Sequence, residues 1–250
     1  MALSLRTKNP ALSANTFETE RAMVLGEAMT IEGTVNKTGV LLICVAIPAM
    51  WTWSLVRTDN APLASLLLLV GLIGGFITAL VTIFKHAWAP VTAPVYALLE
   101  GLVLGGLSAT FEASYPGIAI QAVMLTFGTL VALLLAYRAG MIRATEGFKM
   151  GIVAATGGIA VFYLVTIVLG FFGIHFPMIY GSGPIGIAFS LFVVVIAALN
   201  LVIDFDMIET GAAQGAPKYM EWYGGFALMV TLIWLYLEML RLLSKLRSRR

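Results

Sequence analysis

Seven apolar segments, each about 20 residues long, follow one another along this chain. As a helix, a segment of this length crosses the ~30 Å hydrocarbon core of a bilayer. The expected spans are residues 38–56, 63–84, 91–111, 118–137, 150–172, 184–206 and 223–244. Short connections rich in Gly, Pro and charged residues separate them, which leaves no room for a soluble domain. The sequence therefore predicts an all-α integral membrane protein with seven transmembrane helices.

Composition supports the same class. Hydrophobic residues make up 60% of the 250 positions and charged residues only 11%, whereas soluble domains carry roughly 25% charged residues. So little charge cannot cover so much apolar surface in water, and the lipid bilayer is the expected partner. The net charge of +2 gives no reason to expect a nucleic-acid partner.

The distribution of charged residues predicts where the tails and the membrane domain lie and how the chain is oriented in the membrane. We expect an N-terminal tail at residues 1–36, a membrane domain at 37–246 and a basic tail at 247–250. With the N-terminus in the cytoplasm, the outer connections hold only Arg57, and the inner ones hold Lys85, Arg138, Arg143, Lys149 and Lys218. This asymmetry favours the N-in orientation. The basic C-terminal stretch "RLLSKLRSRR" would then end outside, which suggests an atypical last helix that does not cross fully.

Two pairs of glycines predict close helix packing. Gly71 and Gly75 lie four residues apart in the second span, as do Gly101 and Gly105 in the third. Small residues at this spacing let two helix backbones approach each other in a membrane.

Three acidic residues lie within predicted spans, where each charge costs roughly 2.5–3.5 kcal/mol on insertion scales. They are Glu100, Asp204 and Glu238. Glu100 is in the middle of its span and has no charged neighbour on the same helix face. We expect it to be protonated, to donate a hydrogen bond to another helix, or to pair with a group there.

Asp204 and Asp206 belong to the stretch "NLVIDFDMIE" at the end of the sixth span. They point about 200° apart on an ideal helix and so do not face the same partner. Asn200 precedes Asp204 by one turn and is its expected inward polar companion. Asp206 and Glu209 are interpreted as the solvated end of the helix.

The last span carries a polar stripe along an otherwise apolar helix. Its members recur every three or four residues: Thr231, Trp234, Glu238, Arg241 and Lys245. One interpretation is a local Glu238–Arg241 pair near the membrane edge. The other is that the whole stripe faces the interior of the helix bundle.

Several catalytic signatures are missing from the sequence. It contains neither GxSxG nor HExxH, and no glycine loop with a lysine to hold phosphate. Ser190 has no base that can be recognised from the sequence, and no lysine lies midway along the last helix, where a retinal protein needs one. We therefore expect a protein that is not an enzyme and has no resident cofactor.

Three stretches resemble the Bax inhibitor-1-like family, also called transmembrane Bax inhibitor motif proteins. They are "EGLVLGGLS", "NLVIDFDMIETGA" and "WLYLEMLRLLSKL". The stretches "MTIEGTVNKTGVLL" and "GAPKYMEWYGGF" are similar to a bacterial branch of that family. The resemblance covers about residues 29–246 and implies six helices packed around a central seventh, in a bacterial inner membrane.

The resemblance also implies a pH sensor made of one carboxylate from each of the last two helices. The matching positions here are Asp204, within "IDFDMI", and Glu238, within "YLE". Bacterial relatives studied as calcium leaks have two aspartates, so an Asp–Glu pair replaces Asp–Asp. The family's third-helix glutamate matches Glu100. An arginine that some relatives carry in the second helix has no clear counterpart, Lys85 being a weak candidate.

The spacing of the proposed pair sets a geometric requirement. Asp204 and Glu238 are 34 residues apart. With a turn at residues 214–222, they would lie about 15 Å and about 24 Å from it along ideal helices. Tilt, an unwound helix end or a loop that dips inward has to absorb the offset of about 9 Å.

Two functions are compatible with the resemblance. The first is a pH-sensitive cation leak with calcium as the expected ion, in which Asp204 and Glu238 form the sensor. Two close carboxylates do not easily both ionise, and once ionised they repel each other or attract a hard cation such as Ca²⁺ transiently. Residues expected to line the path or support it are Glu100, Asn200, Asp206 and Arg241. The alternative is an interaction protein that modulates a membrane protease or another membrane partner without conducting ions.

Overall fold

The computed structural model describes residues 28–58, 60–173 and 181–249, so that the expected N-terminal tail lies mostly outside the described residues. Seven α-helices dominate this part of the chain, which contains no β-strand. They are α1 (Ile31–Arg57), α2 (Ala61–Phe84), α3 (Ala89–Ser114), α4 (Ile118–Arg138), α5 (Glu146–Phe171), α6 (Pro184–Ala213) and α7 (Met220–Ser248). All seven are long and apolar enough to cross a membrane. The predicted all-helical fold with seven spans is confirmed.

Local sequence signals explain where the helices begin. The Thr30 hydroxyl accepts a hydrogen bond from the Gly33 N–H at the start of α1, and Thr145 does the same for Phe148 at the start of α5. Such caps satisfy backbone donors that have no partner within the helix. Three other helices have a proline in their first turn, where its missing N–H is harmless: Pro62, Pro90 and Pro184.

Helix α7 is the most buried element. Of its most apolar stretch 61% is buried, against 17% for α2 and for α5. It packs against α1, α3, α4 and α6, while α2 packs on α1 and α3, and α5 packs on α6. Contact between α5 and α7 is made by Tyr163, which donates a hydrogen bond to Glu238. The last helix therefore forms the inner part of the bundle, with α2 and α5 at its periphery.

Both glycine pairs lie where helices approach closely, as their spacing predicts. A Cβ atom on Gly101 would collide with the Val45 carbonyl oxygen of α1, and one on Gly105 would collide with that of Ala49. A Cβ on Gly71 would lie 2.6 Å from the Leu99 carbonyl oxygen of α3. These contacts hold α3 between α1 and α2.

The two ends of the membrane domain are held by different contacts. Where α1 begins, the Met29 N–H donates to the Ala216 carbonyl of the α6–α7 loop at 2.7 Å. Where α7 ends, Arg247 donates to the Pro116 carbonyl of the α3–α4 turn at 2.7 Å. Helix α7 runs unbroken for 29 residues, or about 43 Å, and is long enough to cross completely. The length of α7 therefore does not require an incomplete crossing, and the side of the membrane on which the basic tail lies stays a prediction.

Replacing Gly101 tests the close contact between α1 and α3. We expect Gly101→Ala to lower the unfolding free energy by about 1–3 kcal/mol, because the new methyl group must displace a backbone carbonyl. The matched control is Gly128→Ala in α4, where a Cβ meets nothing within 4 Å. It should be neutral or slightly stabilising. Unfolding in a denaturing-detergent titration measures both variants, and equal losses would contradict the packing.

Candidate functional site: buried carboxylates between α5, α6 and α7

Glu238 is a buried carboxylate in the middle of the bundle. Its side chain is 2% exposed, and its Oε1 accepts hydrogen bonds from Arg241 Nη1 at 2.6 Å and from the Tyr163 hydroxyl at 3.1 Å. Arg241 also donates to the Tyr163 hydroxyl oxygen at 2.7 Å. Three groups from two helices thus form a closed triangle. The local Glu238–Arg241 pair of the first interpretation exists, and Glu238 itself is buried, whereas the Arg241 side chain is 38% exposed, so that the stripe does not face the interior as a whole.

Asp204 lies on α6 and has a different partner. The Thr231 hydroxyl of α7 donates to its carboxylate. The other oxygen, Asp204 Oδ2, is buried and has no hydrogen-bond partner, and the same is true of Glu238 Oε2. A buried carboxylate oxygen without a donor is costly, because it has lost water and gained nothing in exchange.

The two carboxylates lie at different levels along α7. Thr231 and Glu238 are seven residues apart on α7, which corresponds to about 10 Å of rise. The Asp204 carboxylate, which is level with Thr231, is therefore offset from the Glu238 backbone by an amount close to the 9 Å expected from the spacing. Helical side chains lean toward the N-terminus, so the Glu238 side chain extends toward this level and shortens the gap. Direct contact between Asp204 and Glu238 stays a prediction.

A line of polar groups continues on either side of these carboxylates. Asn200 donates to the Thr156 hydroxyl of α5 at 2.8 Å, so that it binds α6 to α5 and does not bind Asp204. Toward the end of α7, the buried Lys245 donates to the Gly186 carbonyl at 3.0 Å and to the Ser190 hydroxyl at 2.9 Å, both on α6. Polar side chains therefore follow the α5–α6–α7 interface over much of its length.

Asp206 and Glu209 occupy the end of α6 that lies near the start of α5. Asp206 forms an ion pair with Lys149 at 2.7 Å and is 23% exposed. Glu209 accepts a hydrogen bond from the Tyr137 hydroxyl at 2.6 Å. Both residues were expected to be solvated, and Glu209 is exposed as expected. Asp206 is only partly exposed, and the two side chains also link α4, α5 and α6, because a phenol of α4 and a lysine of α5 reach them.

Glu100 lies at another interface. It packs against Gly75 of α2, where a Cβ atom would come 3.0 Å from its Oε1. Asp204 and Glu238 have their partners on α5 and α7, and the structure does not bring Glu100 to either of them. Its expected role along the ion path remains a prediction.

Three residues that take part in these polar contacts were not predicted from the sequence. Tyr163 gave no signal in an apolar helix, and Ser190 appeared to lack a basic neighbour, although Lys245 approaches it from 55 positions away. The third is Glu221, which is 1% exposed and accepts from Lys218 Nζ at 2.7 Å and from the Thr30 hydroxyl at 2.8 Å. These contacts anchor the start of α1 to α7, and no sequence pattern predicts that pairing.

The carboxylates do not by themselves form a complete metal site. Within the described ranges, no three side chains of the types His, Cys, Asp and Glu converge on one point. Asp204 and Glu238 could together supply oxygen ligands of the kind that Ca²⁺ prefers, but fewer than the six to eight that it usually takes.

Comparison with known proteins identifies one match. The family model described as Bax inhibitor 1 like matches residues 9–248, which is nearly the whole chain. No curated protein matches the chain. No solved structure matches it either.

Replacing Tyr163 tests the triangle around Glu238. We expect Tyr163→Phe to lower the unfolding free energy by about 1–3 kcal/mol, because Glu238 and Arg241 each lose a hydrogen bond in a buried place. The matched control is Tyr219→Phe, which removes a phenol hydroxyl with no described hydrogen-bond partner and should change little. Detergent unfolding of both variants measures the difference. A Tyr163→Phe protein as stable as the wild type would show that the triangle contributes nothing.

Proposed function

The chain belongs to the Bax inhibitor 1 like family, and we propose that it is a pH-sensitive cation leak with Ca²⁺ as its ion. The observation that carries this proposal is the pair of buried, unpartnered oxygens, Asp204 Oδ2 and Glu238 Oε2. Ionisable groups inside a membrane bundle are expensive and therefore mark ion or proton pathways. Oxygen atoms without a donor suit a hard cation or a proton, either of which would satisfy them.

In this proposal the described conformation is the closed one. Arg241 neutralises Glu238, and Tyr163 holds both to α5. A proton shared by Asp204 and Glu238 keeps α6 and α7 together. When that proton leaves, two anions repel each other, and the helices separate or admit a cation. Arg241 is then a positioning residue for Glu238, in place of the second-helix arginine of some relatives.

The remaining assignments rest on the sequence and the family. We place the protein in a bacterial inner membrane with its N-terminus in the cytoplasm, because the basic connections lie on the side where α1 begins. We also propose that it is not an enzyme. Ser190 and Lys245 form a close pair, but they are only 1% and 6% exposed and line neither of the two crevices described below.

Calcium flux into liposomes tests the leak. Wild-type protein should carry Ca²⁺, and the flux should rise with pH as the carboxylates lose their shared proton. Asp204→Asn and Glu238→Gln each remove a charge and should lower the flux at alkaline pH by about tenfold, equivalent to ~1.4 kcal/mol, and flatten its pH dependence. The matched control is Glu32→Gln, an exposed carboxylate in the first turn of α1, which should behave like wild type.

The same experiment separates the leak from the alternative. A wild-type protein without flux, or variants with unchanged flux and pH dependence, would contradict the leak. Co-purification of a membrane protease or another membrane protein in fixed stoichiometry, without flux, would support the interaction protein instead.

A further inference from the structure

A lateral crevice separates α1 from α4 over most of the membrane domain. It comprises two cavities of about 810 Å³ and about 640 Å³ that meet at Leu42. Helix α1 forms one wall and α4 the other, and α7 contributes to the floor of both cavities.

The two cavities differ in their chemistry. The smaller one is mostly apolar, with Ser108, Thr126 and Tyr236 among its lining residues and Trp53 at its far end. The larger one has apolar walls, in which Val35 and Val131 are 60% and 54% exposed, and a polar mouth where α4 ends. That mouth holds Arg138, the last residue of α4, and Arg143 in the loop that follows.

The charges at this mouth are not balanced. Asp206 and Glu209 also line it; Lys149 pairs with the first, while the second keeps its negative charge because the Tyr137 hydroxyl that binds it is neutral, so the two arginines exceed the unpaired acidic charge by one. Within the described ranges, Arg138 and Arg143 have neither an ion-pair nor a hydrogen-bond partner. Two guanidinium groups beside an apolar groove at the membrane edge form a place for an anion that carries a hydrocarbon chain.

The length of the larger cavity fits the hydrocarbon of one leaflet. Its α1 wall runs from Ile31 to Leu42, which is about 16 Å of helix. Half of a ~30 Å hydrocarbon core is ~15 Å. An acyl chain that enters beside Arg138 would therefore reach the bilayer centre where the cavity narrows at Leu42.

We propose that this crevice is a binding site for an anionic phospholipid. Its phosphate lies between Arg138 and Arg143, whose planar guanidinium groups bind phosphate in a bidentate manner. One acyl chain lies between α1 and α4 against Leu134. Basic pockets between transmembrane helices bind anionic headgroups in this way. The site does not depend on the proposed leak.

Native mass spectrometry of the purified protein tests the site. The probes are palmitoyl-oleoyl phosphatidylglycerol, which is anionic, and the phosphatidylcholine with the same chains. We expect phosphatidylglycerol to bind with one-to-one stoichiometry and more tightly than phosphatidylcholine. Arg138→Gln with Arg143→Gln should weaken phosphatidylglycerol binding roughly 10- to 30-fold and remove the preference. Arg143→Gln alone, in an exposed loop, gives a smaller loss without risk to the fold. The control Arg57→Gln, at the opposite end of α1, should change nothing.

A second pair of variants tests the acyl-chain groove. Gly39 lines the larger cavity, and a Cβ there meets nothing within 4 Å, so Gly39→Trp fills the groove without disturbing helix packing. It should abolish one-to-one binding of both lipids. Gly128→Trp, also on an open helix surface but outside both cavities, should bind like wild type. Equal binding of the two lipids by wild type, or Gly39→Trp binding like wild type, would overturn the proposal. A phosphatidylglycerol with a photoactivatable acyl chain that labels α2 or α5, which line neither cavity, in preference to α1 and α4 would also overturn it.

Discussion

The cost of placing polar groups in an apolar bundle governs the arrangement of α7. This helix carries Thr231, Glu238, Arg241 and Lys245 along one stripe, and lipid would leave all of them without partners. Packing against α6, with Tyr163 reaching in from α5, gives each of them a partner: Thr231 binds Asp204, Glu238 and Arg241 bind Tyr163, and Lys245 binds Ser190. The inner position of α7 follows from this need, and the remaining helices pack around the apolar sides that it leaves.

Not every polar atom at this stripe has a hydrogen-bond partner. Arg241 and Tyr163 both bind the same oxygen of Glu238, so its other oxygen stays without a donor, as does one oxygen of Asp204. Two other acidic groups are well paired: Glu221 has three donors, and Asp206 has a lysine. Among the described residues, Asp204 and Glu238 are the carboxylates with a fully buried oxygen that lacks a donor, and the proposed function rests on this contrast.

Sequence reasoning identified the seven spans because length and hydropathy alone decide whether a helix can cross a bilayer. It found the close approach of α1, α2 and α3 because glycine spacing reports helix contact. It also singled out Asp204, Glu238 and Arg241, since charges in apolar segments are conspicuous. It missed Tyr163 and Glu221, and it did not foresee that Lys149 pairs with Asp206. Each of these depends on a partner from a distant segment, and no local pattern records which helices become neighbours.

The sequence by itself thus determined that the chain is a seven-helix membrane protein. It also identified the charged groups whose burial in an apolar segment carries a large free-energy cost. Only the tertiary structure decided which helices meet. It placed Tyr163 against Glu238, put Lys149 beside Asp206, and held α1 and α4 apart so that a crevice opens between them. The physical reason is that hydropathy and spacing act within one helix, whereas hydrogen bonds, ion pairs and cavities are properties of pairs of helices whose register and rotation are set by packing.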